Sequence, residues 1–214
     1  MFATWGCPGA LKVDNGRPLG DPGSDLPPVL ALWLIGVGVD VVWNRPRRPT
    51  DNAKVERSQA VTAAWAEPGR CAELAALGSA LAAAAAMQRE GYPVRRLGGA
   101  TRAEAYAGLL AGGRAYEAGS FSLARVEAFL REGEWVRRVG RTGQVEFYGQ
   151  RWSVGRAHRR TSVRVSLEAG PSGGPSVWTV RAEGGRVLKS FGGGFLSPSS
   201  ICGLSVIGPG PGRT

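Results

Sequence analysis

From Glu134 to Phe191 the chain falls into short stretches in which apolar and polar residues alternate, with turn signals between them. The stretches are Trp135–Val139, Gln144–Phe147, Arg151–Val154, Ser162–Leu167, Trp178–Arg181 and Arg186–Leu188. A period of two puts every second side chain on one face, so each stretch can bury one side only. Gly140-Arg141-Thr142-Gly143 and Glu183-Gly184-Gly185 are turns. Short strands at this spacing predict a small β-barrel over residues 134–191.

The preceding part reads as α/β. Ala10–Val13 is a short strand running into Asp14, and Asn15-Gly16 is a turn signal. Pro27-Pro28 opens a helix to about Gly36, and the β-branched Val39–Trp43 is a second strand. Asn44–Thr50, with Pro46 and Pro49, is a loop. Ala53–Ala66 is a helix that Asp51 or Asn52 can cap, and Cys71–Arg89 is an alanine-rich helix. Thr101-Arg102-Ala103-Glu104 fits a capping box for a helix to about Ala111. A further helix spans Leu123–Arg131 with Ser122 as its cap, and the Gly-, Pro- and Ser-rich residues 192–214 are expected to be a disordered tail.

Charge narrows the partners. Lys and Arg number 27 against 17 Asp and Glu, a formal charge of +10. Residues 134–191 hold eleven of those cations against four acids, so the excess concentrates in the β-rich part. Such a bias favours a polyanion, nucleic acid being the commonest. Cys7, Cys71 and Cys202 are too few and too scattered for a disulfide framework or a zinc knuckle. With His158 the only histidine, a histidine metal site or a Ser-His-Asp triad is improbable, and a surface role suits it. The opening Met1–Gly6 carries neither a basic n-region nor an apolar h-region, and Val29–Val39 is too short to span a bilayer. The expectation is a cytoplasmic, nucleoid-associated protein with no membrane contact.

Two carboxylates stand out. Asp14 ends a predicted strand and Glu56 lies in the first turns of a capped helix. A strand-end and a helix-wall carboxylate can converge on Mg2+, or Mn2+, a hard ion that seeks oxygen. Two such ions held by shared carboxylates can activate the attacking oxygen and stabilise the leaving one in phosphodiester chemistry. Each residue alone also fits a plainer role, Asp14 in its turn and Glu56 in solvent.

The stretch Leu11-Lys12-Val13-Asp14-Asn15-Gly16-Arg17-Pro18-Leu19 resembles the second-aspartate motif of integrase catalytic cores of the retroviral and insertion-sequence type. Arg45-Pro46-Arg47-Arg48-Pro49-Thr50-Asp51-Asn52-Ala53-Lys54-Val55-Glu56-Arg57 resembles the same family's glutamate motif. The resemblance implies a DDE-type transposase with a partial RNase-H-like core, in which Asp14 and Glu56 are the second and third catalytic, metal-binding carboxylates. It implies action on transposon ends and target DNA, as a homo-oligomer. Ala53 replaces the family's glycine, and 41 residues separate Asp14 from Glu56, somewhat more than is usual. Only 13 residues precede Asp14 and none is acidic, so a fragment lacking the first aspartate, without independent catalysis, is expected.

Residues 134–191 likewise resemble, in pattern, the β-barrel that follows the core in many bacterial transposases, which implies an SH3-like DNA-binding domain. The expected organisation is a truncated core over 1–90, a helical linker over 91–133, the basic barrel and then the tail. Candidate nucleic-acid contacts are Arg45, Arg47, Arg48, Lys54 and Arg57 around the glutamate motif. In the barrel they are Arg137, Arg138, Arg141, Arg151, Arg156, Arg159 and Arg160. Phe147, Tyr148, Trp152 and Trp178 are expected to be core. Three further readings stay open: an active enzyme whose missing carboxylate comes from another polypeptide or an upstream start, a non-catalytic basic module or regulator of transposition that binds DNA, and a basic barrel that binds RNA.

Overall fold

The computed structural model describes residues 2–21, 24–109, 113–194 and 196–203. In chain order the helices and strands are α1 (Phe2–Trp5), β1 (Ala10–Val13), α2 (Val29–Gly36), β2 (Asp40–Trp43), α3 (Ala53–Ala66) and α4 (Leu74–Ala86). There follow α5 (Arg102–Ala105), α6 (Leu123–Arg131), β3 (Glu134–Arg138), β4 (Gln144–Phe147) and β5 (Gln150–Ser153). The last are β6 (Ser162–Glu168), β7 (Val177–Ala182), β8 (Val187–Gly192) and α7 (Pro198–Cys202). The chain divides into two compact units, one of residues 1–9 with 44–116, the other of residues 10–43 with 117–214.

This division departs from the expected 1–90 core, because residues 10–43 go with the C-terminal half. The physical reason lies in α2. Its sequence, VLALWLIG, is apolar on every side, and such a helix must be covered all round. Within the second unit α2 packs against β2, α6 and α7, with Ala31, Leu32, Leu34 and Ile35 buried. Gly36 closes the contact with the start of α6. Its carbonyl accepts from the Ser122 amide at 2.9 Å and from the Arg125 guanidinium at 3.2 Å, and the Phe121 ring lies where a Cβ would stand.

In the second unit β1 and β2 pair in parallel, Ala10 opposite Asp40 and Val13 opposite Trp43, with α2 as the crossover. β3, β6, β7 and β8 form an antiparallel sheet in that order, and β4 and β5 form a separate hairpin. The hairpin turns through Tyr148 and Gly149, both at positive φ, the arrangement whose twist matches the strands on either side. The inward residues of β3, β4, β6 and β7 build one core: Trp135, Val145, Phe147, Val163, Val165, Leu167, Trp178 and Val180 are all buried. The rings of Phe147 and Trp178 meet at 5.1 Å between centroids, and Trp152 packs on Phe191 at 4.4 Å. Val126 and Leu130 of α6 join the same core.

Within the segment expected to be a loose tail, Gly192 ends β8 and Pro198–Cys202 form α7. Ser197 and Ser200 make a reciprocal capping box for α7, and Ile201 and Leu196 enter the core. Apolar burial holds there despite a loop-like composition; residues 204–214 lie outside the described ones.

The first unit is helical. α3 and α4 pack together, and α4 continues into a π-turn, Met87–Gly91. Gln88 is buried between them, its amide donating to the Ser58 carbonyl at 3.2 Å and to the Thr62 hydroxyl at 2.6 Å. Cys7 bridges to Arg114 as an isolated antiparallel pair. The capping box at Thr101 and Glu104 forms as its sequence dictates, but α5 ends at Ala105 rather than near Ala111, which itself lies outside the described residues. No helix among the described residues is long and apolar enough to cross a membrane.

Candidate nucleic-acid interface

The turn after β3 and the loop between β5 and β6 are laced together by backbone hydrogen bonds. The Gly143 carbonyl accepts from the amides of both Val154 and Gly155, at 2.9 and 3.1 Å. The Val139 amide donates to the Thr161 carbonyl at 2.9 Å, and the Arg160 amide to the Val139 carbonyl at 2.8 Å. Gly143, at φ 82°, lets the two strips of backbone close up, since a Cβ there would meet the Arg156 nitrogen at 2.6 Å. The two loops therefore present their side chains from one end of the sheet unit.

Those side chains are Arg141, Arg156, Arg159 and Arg160, with Arg138 at the end of β3 beside them, opposite Ser162. All five are exposed, and none enters an ion pair among the described residues. Neither residues 138–145 nor residues 154–162 contain an acid.

Four other arginines of the unit are engaged differently. Arg164 on β6 pairs with Glu134 of neighbouring β3 at 2.8 Å, and Arg151 on β5 pairs with Glu146 of β4 at 3.0 Å. Arg181 contacts Glu168, whose carboxylate also accepts from the hydroxyls of Ser166 and Thr179. The Arg181 hydrogen bond holds the Glu168 carboxyl below its ordinary value, and the same contact raises Arg181. Arg137 is largely buried, its guanidinium on Asp25, the Ser24 hydroxyl and the Val136 carbonyl. Of the seven arginines expected to reach DNA here, Arg137 and Arg151 thus have acidic partners and the other five do not.

The glutamate-motif residues lie in the first unit. Arg45 grips Asp51 with both its Nε and a terminal nitrogen, at 3.0 and 2.7 Å, and the hydrogen bond raises the guanidinium's pKa. Asp51 closes the loop in this way instead of capping α3, and Asn52, at the cap position, makes no capping bond through its side chain. Arg47, Arg48, Lys54 and Arg57 are exposed. Sequence reasoning missed Trp65, Tyr92, Arg96 and Arg102, which line a groove with Lys54 and Arg57. The available signal was the spacing Lys54, Arg57, Val61, Trp65, which is one stripe of a helix.

Asp14 follows β1 in the second unit, exposed, its carboxylate accepting from the Gly16 amide at 3.1 Å. Glu56 is exposed in the first turn of α3, in the first unit. A magnesium centre needs about six oxygen ligands, of which protein commonly supplies some and water the rest. Among the described residues no group of three or more His, Cys, Asp or Glu side chains is placed to share an ion.

Neither a known protein family, nor a curated protein, nor a solved structure matches the chain.

Proposed function

We propose that this chain is a DNA-binding protein of the transposition and integration type, which holds the phosphate backbone of duplex DNA on the basic loop end of its second unit. The observation that carries this reading is the set of five exposed arginines on and beside two cross-bonded loops that contain no acid. Guanidinium groups without an internal partner are available to phosphate oxygens, which accept from them in a forked geometry. Loops fixed by backbone bonds lose less freedom on binding than free ones. A site of this kind gives affinity with little sequence preference.

Kinship to integrase-core transposases rests on the two motifs around Asp14 and Glu56, and the β1–α2–β2 crossover, whose first strand leads into Asp14, supports it. On that reading Asp14 and Glu56 are the residues that would hold Mg2+ or Mn2+. A non-catalytic module that occupies transposon ends is the second reading. It needs only the exposed loop arginines, which are the observation that carries the binding.

Fluorescence anisotropy of the full chain with a labelled duplex, read across a salt series, tests the proposal. Binding should fall steeply with salt, and Arg156→Gln with Arg159→Gln should weaken it while leaving the fold intact. A duplex that does not bind at low salt removes the proposal.

A further inference from the structure

The first unit carries a groove that its own packing leaves open, with a cavity volume of about 710 Å³. One wall is a stripe of α3. Lys54, Arg57, Val61 and Trp65 succeed one another at three- and four-residue steps, so they share a helix face. The other wall comes from the π-turn that follows α4 and the segment through Arg102. The π-turn closes with the Tyr92 amide donating to the Met87 carbonyl at 2.8 Å, which fixes the backbone at Tyr92. Arg102 spans the base of this wall, donating to the Gln88 carbonyl at 2.6 Å. Arg96 stands exposed beside it.

Two properties coincide in this groove. It is lined by four cations and no acid: Lys54, Arg57, Arg96 and Arg102. It also carries two large rings that a helical unit would ordinarily bury. Trp65 is 40% exposed and Tyr92 is 50% exposed, although their centroids lie 5.3 Å apart. The rings are tilted by 55° and both are partly exposed, so part of their surface is open to a third ring. A flat π-surface next to clustered positive charge matches a base joined to a phosphate.

We propose that this groove binds an unpaired nucleotide of a single-stranded nucleic acid, its base stacked on the Trp65–Tyr92 pair and its phosphates on Lys54, Arg57 and Arg96. A duplex does not fit this chemistry, because its bases already stack on each other and offer only their edges. The site stands on residues of the first unit and does not depend on the duplex-binding loops of the second.

The test is anisotropy of the full chain with a short labelled oligothymidylate. Trp65→Leu, which keeps apolar bulk and removes the ring, should weaken binding about tenfold, in the range base stacking supplies. Trp65→Phe, which keeps a ring, should hold binding within about threefold of the parent by the same reasoning. Arg96→Gln should weaken binding and lower the salt slope by about 0.7, the share of one phosphate contact on a single strand. Arg156→Gln with Arg159→Gln should leave oligothymidylate binding unchanged while it weakens duplex binding. A parent chain that binds oligothymidylate but no duplex at low salt would count against the earlier reading and leave this one standing. A Trp65→Leu chain of unaltered helicity by circular dichroism that binds as well as the parent would overturn the groove assignment. So would thymidine monophosphate displacing the oligonucleotide at equal concentration, which would mark a free-nucleotide site.

Discussion

Asp25 and Arg137 lie in direct contact although 112 positions separate them in the chain. The carboxylate of Asp25 also reaches towards the Val136 amide, at 3.4 Å, and the Arg137 guanidinium takes the Ser24 hydroxyl at 2.9 Å. This cluster fastens the segment that leads into α2 to the edge strand β3. Arg137→Gln should destabilise the second unit by about 1–2 kcal/mol, at the low end because Asp25 is half exposed and screened by solvent. Differential scanning fluorimetry should register a fall of about 2–4 °C for each kcal/mol lost. Duplex affinity of the folded variant should change less than in the Arg156 and Arg159 variants. A larger loss of affinity than of stability would place Arg137 at the DNA instead.

Trp178 is fully buried at the centre of the core, in ring contact with Trp135, Phe147 and Tyr148. Trp178→Ala should cost about 3–5 kcal/mol, the usual range for emptying a buried aromatic site. Urea unfolding followed by circular dichroism would show the loss. Trp178→Phe should lose distinctly less, since most of the ring contact survives.

Glu168 gives a pH signature. Its carboxyl is held below the ordinary glutamate value, first by the hydrogen bond from Arg181 and then by those from Ser166 and Thr179, against the opposing effect of burial. A depressed folded-state pKa means that the stabilisation is complete above the unfolded value, about 4.3 for glutamate. It is lost as pH falls through the lower folded value. Unfolding curves at pH 6 and pH 3 should therefore differ less for Glu168→Gln than for the parent chain. An identical acid dependence in both would show that Arg181 does not stabilise the folded carboxylate.

The loop arginines should appear in the salt dependence as well as in the affinity. Each phosphate contact on duplex DNA contributes about 0.9 to the slope of log affinity against log salt. Arg156→Gln with Arg159→Gln should thus flatten the slope by roughly 2, whereas Arg164→Gln, which breaks a surface pair with Glu134, should leave it nearly unchanged. Equal slopes for all of these chains would remove the loops as the binding surface.

Glu56→Gln separates the two functional readings. If Glu56 holds a metal with Asp14, the substitution should lower Mn2+ affinity in calorimetry while leaving duplex affinity unchanged. A chain whose heat of Mn2+ binding is the same with and without Glu56 would favour the non-catalytic module.

The sequence by itself determined the local structure well. The alternation from Glu134 onward dictates strands because a half-buried strand must have a period of two, and β3 to β8 occur where that period occurs. Thr101 with Glu104 forms its box because that signal acts over a few residues only, whereas Ser122 stands at the cap position of α6 without a capping bond from its side chain. Phe147, Tyr148, Trp152 and Trp178 belong to the core or pack against it, as their setting among alternating residues implied.

Tertiary structure alone decided the partners. Nothing local says that the all-apolar α2 is covered by α6 and α7, or that Leu196 and Ile201 draw a loop-like segment into a core. Nor does sequence sort the arginines: Arg137 and Arg138 are neighbours in one strand, yet one is partly buried against Asp25 and the other is exposed without an ion pair. The same holds for Trp65 and Tyr92, which approach only because the π-turn places Tyr92 beside α3. Local hydrogen bonds and periodicity fix elements through neighbours a few residues away, whereas burial and charge pairing depend on which distant surfaces the folded chain brings together.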